Sequence, residues 1–182
     1  LVGVAANNFA LKTATSPVEN PPADPPFCAV TRNVKKDGSG DHSTIQAALG
    51  ALAANLSGDA CVVIRDTQTY TEQVTVQGFT NNGYRIKIMA DPSFVSSAPV
   101  ISPPALSTAA ILIKNASVTV SGINIVSVSS TPYGIQASSP SVVIASITLN
   151  GGTGVWVAGV AVTSGATITA SIVSAPSAHG LY

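Results

Sequence analysis

Short runs of alternating apolar and polar residues recur along the second half of the chain, offset from one another by 24 residues. They read Ser117-Val-Thr-Val-Ser-Gly-Ile-Asn-Ile-Val-Ser127, Ser141-Val-Val-Ile-Ala-Ser-Ile-Thr-Leu-Asn150 and Gly165-Ala-Thr-Ile-Thr-Ala-Ser-Ile-Val-Ser174. Between them lies a second set of short strands, each introduced by glycine: Gly134-Ile-Gln-Ala, Gly154-Val-Trp-Val-Ala and Gly180-Leu-Tyr. A period of two within each run predicts strands, and recurrence of one unit at fixed spacing predicts a solenoid.

Upstream, the pattern changes once to a helical period. Ser43-Thr-Ile-Gln-Ala-Ala-Leu-Gly-Ala-Leu-Ala-Ala-Asn55 places apolar residues at Ile45, Ala48, Leu49 and Leu52, with Ser43 as the expected cap and Gln46 three residues on. Strands are expected at Cys61–Arg65, Glu72–Val76, Tyr84–Met89, Pro99–Ile101 and Ala110–Ile113, punctuated by Asn81-Asn-Gly83, Asp91-Pro92 and Pro103-Pro104. One amphipathic helix ahead of many short strands predicts a cap over the end of the stack, where the first strands would otherwise expose open backbone groups. The expected class is therefore all-β: a right-handed parallel β-helix with a short N-terminal capping α-helix and an extended N-terminal arm.

That arm is residues 1–27. Its first sixteen residues are apolar and partly alternating, with Leu1, Val2, Val4, Phe9 and Leu11 as candidates for contact with a neighbour. Pro17-Val-Glu-Asn-Pro-Pro-Ala-Asp-Pro-Pro26 follows, and this composition continues neither a helix nor a central strand, so it reads as an extended spacer. Residues 28–182 form the expected β-helical domain. Cys28 and Cys61 flank the predicted cap, which leaves two readings, a disulfide across it or two buried thiols. Asn55-Leu-Ser and Asn115-Ala-Ser are glycosylation triplets for a secreted chain.

Charge sharpens the picture. All sixteen Asp, Glu, Lys and Arg side chains lie between Lys12 and Lys114, and residues 115–182 carry none. Charged residues make up 9% of the chain, against about 25% in ordinary domains, and the net charge is zero. Without a basic patch nucleic acid is a poor partner, and no apolar run reaches the 18 residues of a membrane span. A neutral solenoid wall of Ser, Thr, Ala and Val favours self-association. Gly180-Leu181-Tyr182 opens a further strand with no charged cap after it.

Two resemblances rest on particular residues. Val34-Lys-Lys-Asp-Gly-Ser-Gly-Asp-His-Ser-Thr-Ile-Gln-Ala-Ala-Leu49 and Gln68-Thr-Tyr-Thr-Glu-Gln-Val74 resemble the opening of pectin methylesterases, members of the right-handed parallel β-helix (pectin-lyase-like) proteins. Gln68 stands where that family has glycine, and His42 where it has an aromatic residue. The esterases' two aspartates and arginine from later rungs have no counterpart, since no Asp follows Asp91 and no Arg follows Arg85. More loosely, the cap motif, Ile88-Met-Ala-Asp-Pro92 and the charge-poor repeats ending Ala178-His-Gly-Leu-Tyr182 look like units of giant bacterial surface proteins. That likeness implies an extracellular structural or adhesive role.

Other chemistry is thin. Asp37, Asp41 and His42 read as a self-capping turn rather than a metal cluster. Glu72 and Tyr70 read as a turn-ordering pair, and His179 stands without a carboxylate nearby in sequence. Tyr133 and Trp156 have the shape to stack on sugar rings, and equally to fill core or contact surface. Thr167-Ile-Thr169 is a single threonine pair, too short for an ice-binding array. No catalytic, cofactor or metal site is expected. The expected function is an extracellular or cell-surface fibre subunit joined head to tail with copies of itself. A glycan-binding or degenerate pectin-methylesterase-like β-helix, or an adhesin fragment of a larger surface protein, is the alternative, with surface glycans as the second candidate partner.

Overall fold

A computed structural model describes residues 28–93, 95–126, 131–139, 141–150, 158–163, 165–174 and 179–181. Sixteen strands and one helix occur among them, and every strand pairing is parallel. The strands fall into three sheets. The first holds β1 (Val30–Val34), β2 (Ala60–Ile64), β5 (Ile86–Ala90), β8 (Val118–Ser121), β11 (Val142–Ala145) and β14 (Ala166–Thr169), in that spatial order. The second holds β4 (Val74–Val76), β7 (Ala109–Lys114), β10 (Tyr133–Ser138), β13 (Ala158–Val162) and β16 (His179–Leu181). The third holds β3 (Thr69–Tyr70), β6 (Val100–Ile101), β9 (Asn124–Val126), β12 (Thr148–Asn150) and β15 (Ile172–Ser174). From β2 onward the chain visits the first, third and second sheets in turn, adding one strand to each per circuit.

The 24-residue offset in the sequence is the register of the first sheet: Val118 pairs with Val142, and Val142 with Ala166. Alternation sets which side chains enter the core. Val118, Val120, Val142 and Ile144 are buried, whereas Thr119, Ser121, Val143 and Ala145 between them are partly exposed. Stacked columns such as Val62, Ile88, Val120 and Ile144 belong to one continuous core, and each such side chain contributes about 1.5–3 kcal/mol through burial. After each of the last three strands of the first sheet the backbone turns through a positive φ, at Gly122 (67°), Ser146 (52°) and Ala170 (46°). The ladder continues through the corner, with Gly122 N donating to Ala145 O and Ser146 N to Thr169 O.

Two of the glycine-led runs, at Gly134 and Gly180, fall in strands of the second sheet. Tyr133 pairs with Ala158 and Ala158 with His179, so Gly134, Gly159 and Gly180 share one register position. The run expected from Gly154 begins outside the described residues, and the strand opposite β10 is Ala158–Val162.

The helix α1 is shorter than its periodicity suggests, Ile45–Gly50, and Thr44, not Ser43, is the cap: its hydroxyl accepts from Ala47 N. Gln46 does not close a capping box. Its side chain instead pairs both ways with the backbone of Thr75. Glu72, expected in a strand, supplies the missing carboxylate: its two oxygens accept from Ile45 N and Gln46 N, each at 2.9 Å. An anion at a helix N-terminus is favourable for both hydrogen bonding and the dipole. With Ile45, Ala48 and Leu49 buried, α1 packs against β1, β2 and β4 and covers that end of the core.

The turn before the helix is tightly built. Asp37 accepts from the Ser39 amide and hydroxyl, which holds its carboxyl below the usual range, and Asp41 accepts from Asn33 N. Gly40 sits where a Cβ would lie 2.9 Å from both Asn33 O and Lys35 N, backbone atoms with no freedom to move aside. Gly40→Ala is expected to cost about 1–3 kcal/mol, as overpacking does, measured as a lower urea midpoint at unchanged slope.

Candidate functional site

Outward-facing positions of the later circuits define the surface that distinguishes this chain. On the first sheet Thr119, Val143 and Thr167 align in register, as do Ser121, Ala145 and Thr169 beside them. On the third sheet Asn124, Thr148 and Ile172 form a row, with Val126 and Ile172 exposed. Neighbouring strands lie ~4.8 Å apart, so these rows are flat, closely spaced and free of ionisable groups.

The second sheet carries a groove of about 370 Å³. Leu112 and Ala161 form its apolar floor with Gln136 between them in register, Tyr133 closes one end, and Lys114, Ser138 and Thr163 line the other. β7 and β10 position these side chains by placing Leu112 and Gln136 on the outer face, opposite the buried Ile111, Ile113, Ile135 and Ala137. Lys114 is exposed and has no ion pair among the described residues.

Ionic chemistry lies at the other end of the molecule and is consumed in structure. Tyr70 is buried, and its hydroxyl donates to the two carboxylate oxygens of Asp66 at 3.0 Å. Burial first, and the Asp66 carboxylate second, raise the phenol far above its ordinary value, so it stays a donor. Tyr70 and Glu72 thus serve two different partners and do not form the turn-ordering pair expected from sequence. Asp59 accepts from Lys87 Nζ at 2.7 Å and from Arg85 N at 2.8 Å, and the Lys87 contact holds its carboxyl below the usual range.

A depressed carboxyl stabilises the fold above the unfolded value and loses that contribution as pH falls through the folded one. Asp59→Asn is accordingly expected to cost about 1 kcal/mol at neutral pH and to flatten the acid limb of stability below pH ~4, read from urea midpoints across pH.

Cys28 and Cys61 are joined as a disulfide with a Cα–Cα distance of 5.8 Å. Cys61 alternates with the inward-facing Ala60 and Val62, which places the link on the outer side of the first sheet. Asn55 is exposed and bridges Thr80, and Asn115 is exposed at φ 51° in the turn after β7. Gly180 and Leu181 belong to β16 and pair with β13. Leu1, Val2, Val4, Phe9, Leu11, Trp156 and Tyr182 lie outside the described residues. Among the described residues no three His, Cys, Asp or Glu side chains come together as a cation site, and no helix is long and apolar enough to cross a membrane.

The Lys114 groove is the feature that sequence reasoning missed. Leu112, Gln136 and Thr163 are far apart in sequence, and only the register of three strands assembles them. No family model, curated protein or solved structure matches this chain.

Proposed function

We propose that the three sheets are the faces of a right-handed parallel β-helix, and that the protein is a self-assembling structural subunit of an extracellular fibre. The observation that carries this reading is the uncharged wall: outward residues of β8, β9, β11, β12, β14 and the start of β15 include no Asp, Glu, Lys or Arg. Ordinary domain surfaces are dense in charge, which prevents face and edge association. A disulfide across the first circuits is in keeping with an oxidising, extracellular compartment.

Two joints make up the assembly: uncharged walls of neighbouring copies pack face to face, and head-to-tail contact joins the stack of one copy to the capped end of the next, where the apolar residues 1–16 supply a strand. Deleting residues 1–16 tests the arm. Polymers that vanish or shorten, scored in negative stain and by light scattering, support it, and fibres of full length after deletion remove it. Glycan binding is the second reading, favoured by Tyr133, Gln136 and Ser138 in one groove. Hydrolysis by a carboxyl pair finds no counterpart in circuits built from residues 115–182.

A further inference from the structure

The groove on the second sheet holds a cation without a matching anion among the described residues. Lys114 is the last charged residue of the chain, and none of Leu112, Tyr133, Gln136, Ser138, Ala161 or Thr163 is acidic. An occupant with a negative charge and few backbone donors would complement the Lys114 ammonium and the apolar floor.

One segment of the chain has both properties. In the stretch 17–26 both Glu19 and Asp24 stand among prolines that lack an N–H, and proline-rich segments seat in grooves lined by aromatic side chains; Asp24, four residues or about 12 Å from Cys28, is tethered too closely, which leaves Pro17-Val-Glu-Asn-Pro-Pro22. Its tether is short. The Cys28–Cys61 disulfide holds the far end of the segment on the first sheet. Cys61, Lys87 and Thr119 align in register, so Thr119 lies about 10 Å along the stack from Cys61 at ~4.8 Å per strand. Lys114 precedes Thr119 by only five residues, at most ~17 Å of chain. The nine residues from Glu19 to Cys28 reach about 28 Å in an extended proline-rich conformation, a span matched to that path. Such a tether sets a local concentration in the mM range, above any intermolecular competitor at micromolar protein.

We propose that residues 17–22 occupy the groove of their own chain, with the Glu19 carboxylate on the Lys114 ammonium and the prolines over Leu112 and Tyr133. The segment is then a docked strut rather than a free spacer. This assignment is independent of the fibre reading and holds equally for a monomer.

Photocrosslinking in the full chain tests it. A benzophenone amino acid replaces Gln136, or Ser138 in a second variant, and unlabelled and ¹⁵N-labelled copies are mixed at micromolar concentration and irradiated. Mass spectrometry of the reduced digest then identifies the captured peptide. The expected product links the probe to the peptide containing Glu19, with both halves carrying the same isotope. Lys114→Glu is expected to lower the yield about two- to fivefold, the worth of an exposed ion pair, and Glu19→Lys added to it to restore the yield. Isotopically mixed products, no capture of that peptide from either position, or a yield indifferent to Lys114→Glu would each overturn the assignment.

Discussion

Thr119→Lys combined with Thr167→Lys is expected to leave the fold intact and to disrupt assembly through the uncharged wall. Both positions face outward on the first sheet, two strands apart, with Val143 between them in register. The new ammonium groups stand ~10 Å from each other, about one Debye length at physiological salt, so their mutual repulsion within a monomer is small. Surface substitutions of this kind change stability by about 0.5 kcal/mol or less. Burying an unpaired ammonium against a second neutral wall is another matter, costing several kcal/mol per ion. Even about 3 kcal/mol raises the concentration needed for assembly on the order of a hundredfold. Pelleting across a concentration series reads that shift, with Thr119→Ser and Thr167→Ser as the uncharged control. Unchanged pelleting by the lysine variant would show that this wall is not a contact surface.

Loss of the disulfide is the largest stability effect expected. The Cys28–Cys61 link closes a sequence separation of 33 residues that contains β1, the Asp37 turn and α1. In the chain-entropy account a loop of that size contributes about 3–4 kcal/mol by restricting the unfolded state. Native contacts add to the effect, because the link crosses to a fully buried cysteine on the outer side of the first sheet. Cys28→Ser with Cys61→Ser is expected to lower the free energy of unfolding by that amount, measured by urea titration against the oxidised parent. Reduction of the parent is expected to reproduce it. A loss below about 1 kcal/mol would mean that β1 and α1 are held by packing alone.

Much of the architecture was legible in the sequence because parallel stacking imposes a strict repeat. The runs at 117–127, 141–150 and 165–174 fix the register of β8, β11 and β14, since a slip by one residue would turn Val120 and Ile144 outward. What the pattern did not contain was anything set by contact between circuits. Beside the Thr44 cap, the carboxylate at the start of α1 comes from Glu72, 27 residues beyond Ile45, which the local pattern of Ser43 and Gln46 does not contain. Thr69–Tyr70 forms a strand of two residues, below the length at which alternation can be read. The Lys114 groove likewise exists only once β7, β10 and β13 are side by side. The charge-free stretch from Asn115 onward was plain in the sequence, but its meaning depends on which of those residues face outward.

The central claim is that the uncharged wall is a joint between copies. Negative-stain electron microscopy of the protein as isolated, without refolding, tests it most directly. Regular filaments of uniform width are the predicted result, whereas dispersed single particles at assembly-permissive concentrations would contradict it.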